Sequence, residues 1–386
     1  MRFSIEERRA RIGARHHLAA RASSVERAAE SVVALHSTDP ASVFLALRAR
    51  VEAVTPQDIE HALYEERSLL RMLGMRRTMF VVPTDLVPTL QAAATNDIAE
   101  KQRRLYAQLV TAAGVGDATL LADLGEATVA ALRSRGEATG AQLGSDVPKL
   151  RTPITVAEGK PYGREQNLTT WVLFQLAADG RIVRGRPRGT WVSSQYHWSP
   201  VEAWLPEGIE PVPAATARAE LVRRWLAAYG PGTVADLRWW TGWTATHVKA
   251  ALVAVGALEA DLGERTGAAL SGDDAPTPAS ESWVALLPAL DPTAMGWSER
   301  DWYVGPHTAR LFDRSGNIGP TVWVDGRVVG GWAQRADGEV VVRLLEDIGA
   351  EAVRAVTEEA GRLTEWIGPV RVTPRFRTPL ERELGS

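Results

Sequence analysis

Apolar residues recur at helical spacing in three successive parts of the chain, and each part ends in two short alternating segments. In the first part this spacing predicts helices over residues 5–20 and 25–35, and a Thr55-Pro56-Gln57-Asp58 capping signal begins a third helix that runs to about residue 67. Two strands with a basic turn follow between Leu69 and Pro83. Three helices and a two-stranded wing form the element order of a winged helix.

The same order recurs in the next two parts of the chain. The second part has predicted helices over residues 127–134, 139–144 and 168–179, a proline-containing loop over 148–166, and strands over 181–184 and 190–194. The third part has predicted helices over residues 215–228, 233–241 and 244–257 and a weak strand pair within 258–269. Its short helix, glycine-containing turn and second helix have the spacing of a helix-turn-helix.

Beyond a polar linker over residues 271–282 the pattern changes from helical to alternating. Five segments are predicted strands, over 283–287, 304–312, 320–324, 327–334 and 339–343, with a helix over 350–366. We therefore predict an α+β chain with three tandem winged-helix units and a small C-terminal antiparallel β-barrel or sheet with a helix. The expected domains are residues 1–115, 116–212, 213–270 and 271–386.

Composition narrows the function classes. The formal net charge of −3 means that any nucleic-acid surface is a local basic patch. The sequence contains no cysteine, which excludes disulfides, thiolate metal sites and a cysteine nucleophile. No apolar run reaches the roughly 18 residues of a membrane span, and the arginine-rich start has no apolar signal segment. These features predict a soluble cytoplasmic protein.

The candidate chemistry lies in the segment Leu35-His36-Ser37-Thr38-Asp39-Pro40. It places a histidine, two hydroxyl groups and a carboxylate at the end of the predicted apolar helix. The run that follows carries Arg71, Arg76 and Arg77 on two strands and their turn. A polar cluster beside a phosphate-binding surface is what an enzyme acting on duplex DNA requires.

The chain resembles the tandem winged-helix DNA glycosylases of the AlkZ and YcaQ type. The resemblance is carried by residues 35–40, 47–50, 76–83, 185–191, 290–292 and 325–332, and it covers nearly the whole chain. It implies that three winged helices and a small β-barrel form a concave basic surface for duplex DNA. It further implies the release of alkylated purines, including bulky and crosslinked adducts, from the sugar.

The resemblance also implies a set of catalytic residues. Active family members resemble one another in a Gln-x-Gln or Gln-x-Asp triplet, whereas the matching positions here are His36, Ser37 and Thr38, followed by Asp39. His36, Thr38 and Asp39 are therefore the candidates, with His36 binding a water and Asp39 polarising it or stabilising a cationic sugar. An N7-alkylated guanine already carries positive charge, so it leaves without a general acid. No metal or organic cofactor is implied.

Seven arginines are candidate DNA ligands, and two further residues are candidates for a position near the lesion. The arginines are Arg48, Arg71, Arg76, Arg77, Arg184, Arg186 and Arg188, and the pair is Asp291 and Arg300. The three arginines over 184–188 favour phosphate binding because their turn contains no carboxylate.

Each of these features also has a structural interpretation. Asp39 before Pro40 is an ordinary helix cap, and His36 a satisfied, half-buried histidine. Arg71, Arg76 and Arg77 would solvate an edge strand, and Asp291 and Arg300 would form a turn and its ion pair. The cluster Trp239, Trp240 and Trp243 is expected in the core, unless an exposed member stacks on a base.

Three functions are consistent with these patterns. The first is a monomeric DNA glycosylase for alkylated purines in double-stranded DNA, serving repair or resistance to a DNA-damaging natural product. The second is a non-catalytic DNA-binding protein, a transcriptional regulator or lesion sensor, which would dimerise to read a palindrome. The third is a scaffold whose winged helices bind protein.

Overall fold

The computed structural model describes residues 1–156 and 164–385. In that part of the chain, helices alternate with a three-stranded, a four-stranded and three two-stranded sheets, all with antiparallel pairing. The predicted α+β class is confirmed. None of these sheets closes on itself, so the C-terminal strands form an open sheet and not a barrel.

The first group of elements carries the candidate catalytic segment. Its elements are α1 (Ile5–Arg15), α2 (Val25–Ser31), β1 (Leu35–His36), α3 (Pro40–Arg48), α4 (Pro56–Glu60), β2 (Leu69–Gly74), β3 (Thr78–Pro83), α5 (Val87–Leu90) and α6 (Asn96–Ala112). The capping box of Thr55 and Asp58 begins α4, as predicted, and a π-helical turn extends it to Glu65. The sheet order is β1-β3-β2.

The second and third groups repeat the order of helices followed by a hairpin. The second comprises α7 (Ala118–Arg135), α8 (Gly140–Asp146), β4 (Pro153–Val156), β5 (Arg164–Asn167), α9 (Leu168–Ala178), β6 (Ile182–Pro187) and β7 (Tyr196–Pro200). The third comprises α10 (Ala214–Tyr229), α11 (Val234–Thr241), α12 (Ala245–Ala254), β8 (Leu258–Asp261) and β9 (Thr266–Ala269). The predicted loop over 148–166 thus contains a strand pair, and its central residues 157–163 lie outside the described part of the chain.

The last group forms the four-stranded sheet. It comprises β10 (Val284–Leu287), α13 (Asp301–Val304), α14 (Thr308–Leu311), β11 (Thr321–Val324), β12 (Arg327–Gln334), β13 (Val340–Leu344), α15 (Gly349–Ile367) and α16 (Pro379–Leu384). The predicted strand over 304–312 is wrong: Gly305 has a φ of 62° and Pro306 follows it, so two short helices occupy this segment.

The first group departs from the sequence prediction at its second helix and at α3. The helix predicted over 25–35 ends at Ser31, and Val33, with a φ of 63°, turns the chain into β1. Helix α3 was not predicted, because all nine of its residues are buried and it therefore lacks a polar face.

The core places the candidate catalytic segment against the last group. Leu35 and Phe44 belong to one buried cluster with Leu286, Trp332 and Leu363. The second group, in contrast, packs in a core cluster drawn from residues 106–182, to which α6 of the first group contributes Tyr106 and Val110. The first and last groups therefore share a core, so their relative position is fixed by packing.

Candidate active site and basic surface

His36 lies on a strand and not at a helix end. It pairs with Phe80 across β1 and β3, and the two ring centroids are 5.6 Å apart. Burial, helped by the charge of Arg76, lowers the pKa of His36 to about 3, so the ring is neutral near pH 7. The backbone N–H of Thr38 donates to Nδ1 at 3.5 Å. We infer that the neutral ring carries its proton on Nε2 and presents that N–H as a donor.

Asp39 is the N-cap of α3 and also fixes a distant segment. Its Oδ1 accepts a hydrogen bond from the N–H of Ala41 at 3.2 Å, and its Oδ2 accepts one from the N–H of Arg375 at 3.0 Å. Burial raises the pKa of Asp39. The capping interpretation is confirmed, and a catalytic role for Asp39 stays a prediction.

Ser37 and Arg71 join the catalytic segment to β2. Arg71 is 3% exposed, and its Nε donates to Ser37 Oγ at 2.7 Å while Nη1 donates to Tyr64 OH at 3.2 Å. Its guanidinium carbon lies 4.6 Å from the ring centroid of Tyr196. The interpretation of Arg71 as a solvated edge residue is therefore wrong. Strand β6 packs beside β2 and removes this side chain from solvent.

Two candidate ligands of DNA belong to the core instead. Arg48 is 5% exposed and forms an ion pair with the buried Glu359 of α15. Asp291 is fully buried and accepts from both terminal nitrogens of Arg50, at 2.6 and 2.8 Å. Arg48 therefore does not lie on an exposed phosphate-binding surface. Asp291 is likewise too deeply buried to lie beside a lesion. Arg50, and not Arg300, is the partner of Asp291.

Arg186 is balanced by acidic residues from another group. It pairs with Glu60 at 2.6 Å and with Glu65 at 3.2 Å. The argument that the 184–188 turn has no balancing carboxylate is thus wrong for Arg186, because its partners come from the α4 region. Within residues 1–156 and 164–385, neither Arg184 nor Arg188 has a carboxylate at ion-pair distance.

The turn between β2 and β3 presents two exposed arginines. Arg76 and Arg77 both have left-handed backbones, with φ of 54° and 60°, a conformation that costs free energy in non-glycine residues. Their guanidinium carbons lie 4.4 Å from the Trp239 ring centroid and 4.7 Å from that of Phe174. Neither has an ion-pair partner in the part of the chain that the structure describes.

Arg300 and the tryptophan cluster border this turn. Arg300 lies 4.9 Å from the same Trp239 ring, so the structure brings Arg76 and Arg300 to one indole. Trp240 is 6% exposed and belongs to the core, as predicted, whereas Trp239 and Trp243 are half-buried. Trp239 is the member of the cluster that faces the arginines.

Four residues around the site had no sequence signal. Tyr64 and Tyr196 flank Arg71, Arg375 holds Asp39, and Arg50 neutralises Asp291. Arg375 and Arg50 reach their partners from elements distant in sequence, and Tyr64 lies seven positions before Arg71 in a turn with no local signal for the contact. Tyr196 lies on β7, whereas the sequence pattern placed this strand over 190–194. Among residues 1–156 and 164–385, no group of three or more His, Asp or Glu side chains is arranged to hold a metal ion. No helix there is long and apolar enough to span a bilayer.

The neutral state of His36 predicts acid sensitivity. The folded protein binds fewer protons than the unfolded chain between the ordinary pKa of 6.5 and the folded pKa of about 3. The free energy of unfolding should therefore fall as the pH drops below about 6.5, by up to about 1.4 kcal/mol per pH unit for one such group. His16, whose pKa burial also lowers, adds to the fall.

Urea unfolding at pH 7.5 and pH 5 measures this loss. His36→Gln removes one titrating group but retains a hydrogen-bonding side chain, so its loss between the two pH values should be smaller than that of the wild type. An identical loss in both proteins would contradict the assigned neutral state of His36.

Comparison with known proteins adds independent information on the chain. A family model described as DNA glycosylase AlkZ-like matches residues 29–366. The interstrand DNA cross-link repair glycosylase of Streptomyces sahachiroi is 28% identical over 236 residues, a match that covers 57% of this chain and 62% of that relative, less than two thirds of its length. The structure of Streptomyces sahachiroi DNA glycosylase AlkZ superimposes with a TM-score of 0.75 at 20% identity, over 97% of this chain and 100% of that chain. At this identity the superposition shows a shared fold.

Proposed function

Because the chain belongs to the AlkZ-like DNA glycosylase family, we propose that it hydrolyses the N-glycosidic bond of alkylated purines in duplex DNA. The substrates are purines of the N7-alkylguanine type, including bulky or crosslinked adducts. One observation carries this proposal: the His36–Asp39 segment is held by β3, Arg71 and Arg375 directly beside arginines that lack acidic partners in the described residues. A rigid polar segment next to unbalanced positive charge suits a reaction on a polyanion.

The chemistry follows from the states of the side chains. The bond between C1′ and N9 breaks, and its electron pair leaves with the cationic purine, so no general acid is needed. His36 Nε2–H and the half-exposed Thr38 hydroxyl orient a water, whose oxygen bonds to C1′. The proton of that water passes to Asp39, whose pKa is raised by burial, so that its carboxylate is a stronger base, and whose charge stabilises the cationic sugar.

We propose that the exposed arginines bind phosphates of the DNA backbone. Arg76, Arg77 and Arg188 are exposed, and Arg184 is half-buried over Trp198 at 5.1 Å. The three groups of helices and a hairpin act as winged-helix units within the expected domains 1–115, 116–212 and 213–270, and residues 271–386 support them. The protein acts on one lesion as a monomer in the nucleoid.

Removing the exposed arginines should change the salt dependence of binding. The triple change of Arg76, Arg77 and Arg188 to Ala is expected to weaken duplex binding with little sequence dependence. It should flatten the plot of log affinity against log salt by about 0.9 for each phosphate that is no longer neutralised. Fluorescence anisotropy from 50 to 300 mM salt measures the slope.

A matched control removes three arginines whose charges are already balanced. Arg104, Arg186 and Arg335 pair with Glu100, Glu60 and Glu339, respectively. Their triple change to Ala alters the net charge equally but should leave the slope closer to that of the wild type. Equal slopes for the Arg76, Arg77 and Arg188 variant and the wild type would show that these arginines do not face DNA.

Excision is tested directly on defined duplexes. One carries a single N7-methylguanine and a second carries a bulky N7-alkylguanine, and alkaline cleavage of the labelled strand reports any abasic site. We expect cleavage at the modified position with at least one substrate and none with unmodified DNA. The absence of cleavage on both would contradict the proposed reaction.

A second candidate function is a DNA-binding protein without catalysis. It is favoured by one observation, that the chain has His36, Ser37 and Thr38 where the family resemblance implies a Gln-x-Gln or Gln-x-Asp triplet. A regulator of this kind would dimerise on a palindrome. Light scattering in low and high salt distinguishes it from a monomeric glycosylase.

A further inference from the structure

A cluster centred on Tyr196 contains three buried polar atoms that have no hydrogen-bond partner. They are Nη2 of Arg71, Nε of Arg184 and the hydroxyl of Tyr196 itself, as judged from residues 1–156 and 164–385. Buried polar groups in folded proteins are nearly always paired, since leaving one unpaired costs free energy. Three such atoms in one cluster indicate a partner that residues 1–156 and 164–385 do not supply.

The two arginines of this cluster also lack a balancing negative charge among the described residues. The guanidinium carbons of Arg71 and Arg184 lie 4.6 and 5.7 Å from the Tyr196 ring centroid. In the described segments, no carboxylate forms an ion pair with either arginine, and Arg71 donates only to the hydroxyls of Ser37 and Tyr64. Removing an arginine from water without an anion is unfavourable. The missing partner is therefore an anion with free acceptor oxygens.

Arg184 is the most exposed member of the cluster, since Arg71 and Tyr196 are both buried. Arg184 is only half-buried, and its terminal nitrogens have no hydrogen bond within the parts of the chain that the structure describes. An anion can thus reach the Arg184 guanidinium from outside, while Arg71 acts on it from behind through its charge.

We propose that Arg184, Tyr196 and Arg71 form a socket for one backbone phosphodiester of the bound DNA. Arg184 donates to the phosphate oxygens, the Tyr196 hydroxyl turns to donate to the same group, and the field of Arg71 strengthens both contacts. This inference rests on the proposed function, because it takes DNA as the ligand. A cationic N7-alkylated base does not fit the socket, because two guanidinium groups repel it.

The socket is coupled to the catalytic segment through one hydrogen bond. Arg71 Nε donates to Ser37 Oγ, and Ser37 stands between His36 and Thr38. A phosphate held here therefore belongs to the target nucleotide or to its neighbour. Its binding fixes the sugar relative to the water-binding residues, so Arg71, Arg184 and Tyr196 are positioning residues.

The test uses variants that separate ligand binding from folding. Tyr196→Phe removes a hydroxyl that has no hydrogen-bond partner among the described residues, so the melting temperature should stay equal or rise. Affinity for an undamaged duplex should nevertheless fall by about fivefold or more, the scale of a lost charge-assisted hydrogen bond. Arg184→Met keeps an unbranched apolar side chain but removes the guanidinium that lies over Trp198, and it should flatten the salt slope by about 0.9.

Tyr303→Phe is the matched control. The Tyr303 hydroxyl is buried and donates to the carbonyl oxygen of Ala294 at 3.0 Å. Its removal should lower the melting temperature while duplex affinity stays unchanged, the opposite of the result expected for Tyr196→Phe. This control shows that loss of a buried hydroxyl does not by itself weaken DNA binding.

The outcomes distinguish a failure of the phosphate-socket proposal from a failure of the glycosylase proposal. Wild-type affinity and salt slope in both Tyr196→Phe and Arg184→Met would overturn the socket and indicate that water fills the cluster. A wild-type protein that binds DNA but excises no base would refute the glycosylase proposal, and the binding measurements would still decide on the socket. A stable Tyr196→Phe variant with weakened binding and slower single-turnover excision is the result we expect.

Discussion

Replacing His36 by leucine is expected to lower single-turnover excision by roughly 10²-fold while DNA binding stays within about twofold. Leucine fills much of the space beside Phe80 but has no N–H to orient a water. His36→Gln should retain most of the activity, because a glutamine amide also donates a hydrogen bond. Quenched-flow or manual single-turnover assays measure the rate constants on a labelled N7-alkylguanine duplex.

Asp39→Asn should reduce the same step by a similar factor. The amide has no charge to stabilise the sugar and does not accept the water proton. It also cannot accept from the N–H groups of both Ala41 and Arg375 as the carboxylate does, so the melting temperature should fall slightly. Because the residues act on one step, the double variant His36→Leu/Asp39→Asn should be little slower than the slower single variant.

A matched capping control isolates the charge of Asp39. Asp117 caps α7 by accepting from the N–H groups of Thr119 and Leu120. Asp117→Asn makes the same chemical change at another helix N-cap and should leave excision unchanged. Robust excision by the His36→Leu/Asp39→Asn double variant would overturn the catalytic assignment of both residues.

The largest stability loss is expected from breaking the pair of Arg50 and Asp291. Both side chains are fully buried, and Arg50 also donates to the Ala46 carbonyl oxygen and to Thr293 Oγ1. Asp291→Ala leaves a buried guanidinium without its anion and should lower the free energy of unfolding by about 3–5 kcal/mol. Thermal and urea unfolding measure the loss.

The pair also distinguishes a structural from a lesion-binding role for Asp291. Replacing both partners with apolar residues, as in Arg50→Met/Asp291→Leu, should cost much less stability than Asp291→Ala alone. Excision per folded molecule should be unchanged in that double variant. A stable Asp291→Ala protein with slow excision would contradict the structural role and return Asp291 to the lesion.

Periodicity predicted the amphipathic elements and failed where one face is not polar. Helices α10 and α15 and the hairpin of β8 and β9 lie close to their predicted bounds. Helix α3 is buried on all sides, so its sequence has no polar stripe to reveal it. The segment over 304–312 has strand-like residues, but Gly305 and Pro306 interrupt it.

The site was predictable only in its local contacts. The capping role of Asp39 follows from residues 39 and 41, which are neighbours in the sequence. The partners that decide the roles of Arg48 and Asp291 are 311 and 241 positions away, and no local pattern contains them. Arg375 was not predicted for the same reason, because it is 336 positions from Asp39. The number of arginines in a segment therefore does not show whether they form buried ion pairs or an exposed phosphate-binding surface.

Hydrolysis of the N-glycosidic bond is the central claim, and isotope labelling tests it most directly. Wild-type protein is incubated in ¹⁸O-enriched water with a duplex that carries one N7-alkylguanine, and both products are analysed by mass spectrometry. The account predicts the free alkylated base without label and an intact strand with a single abasic sugar that carries ¹⁸O. A duplex that stays bound and unchanged, with no released base, would contradict the account and identify the protein as a non-catalytic DNA-binding protein.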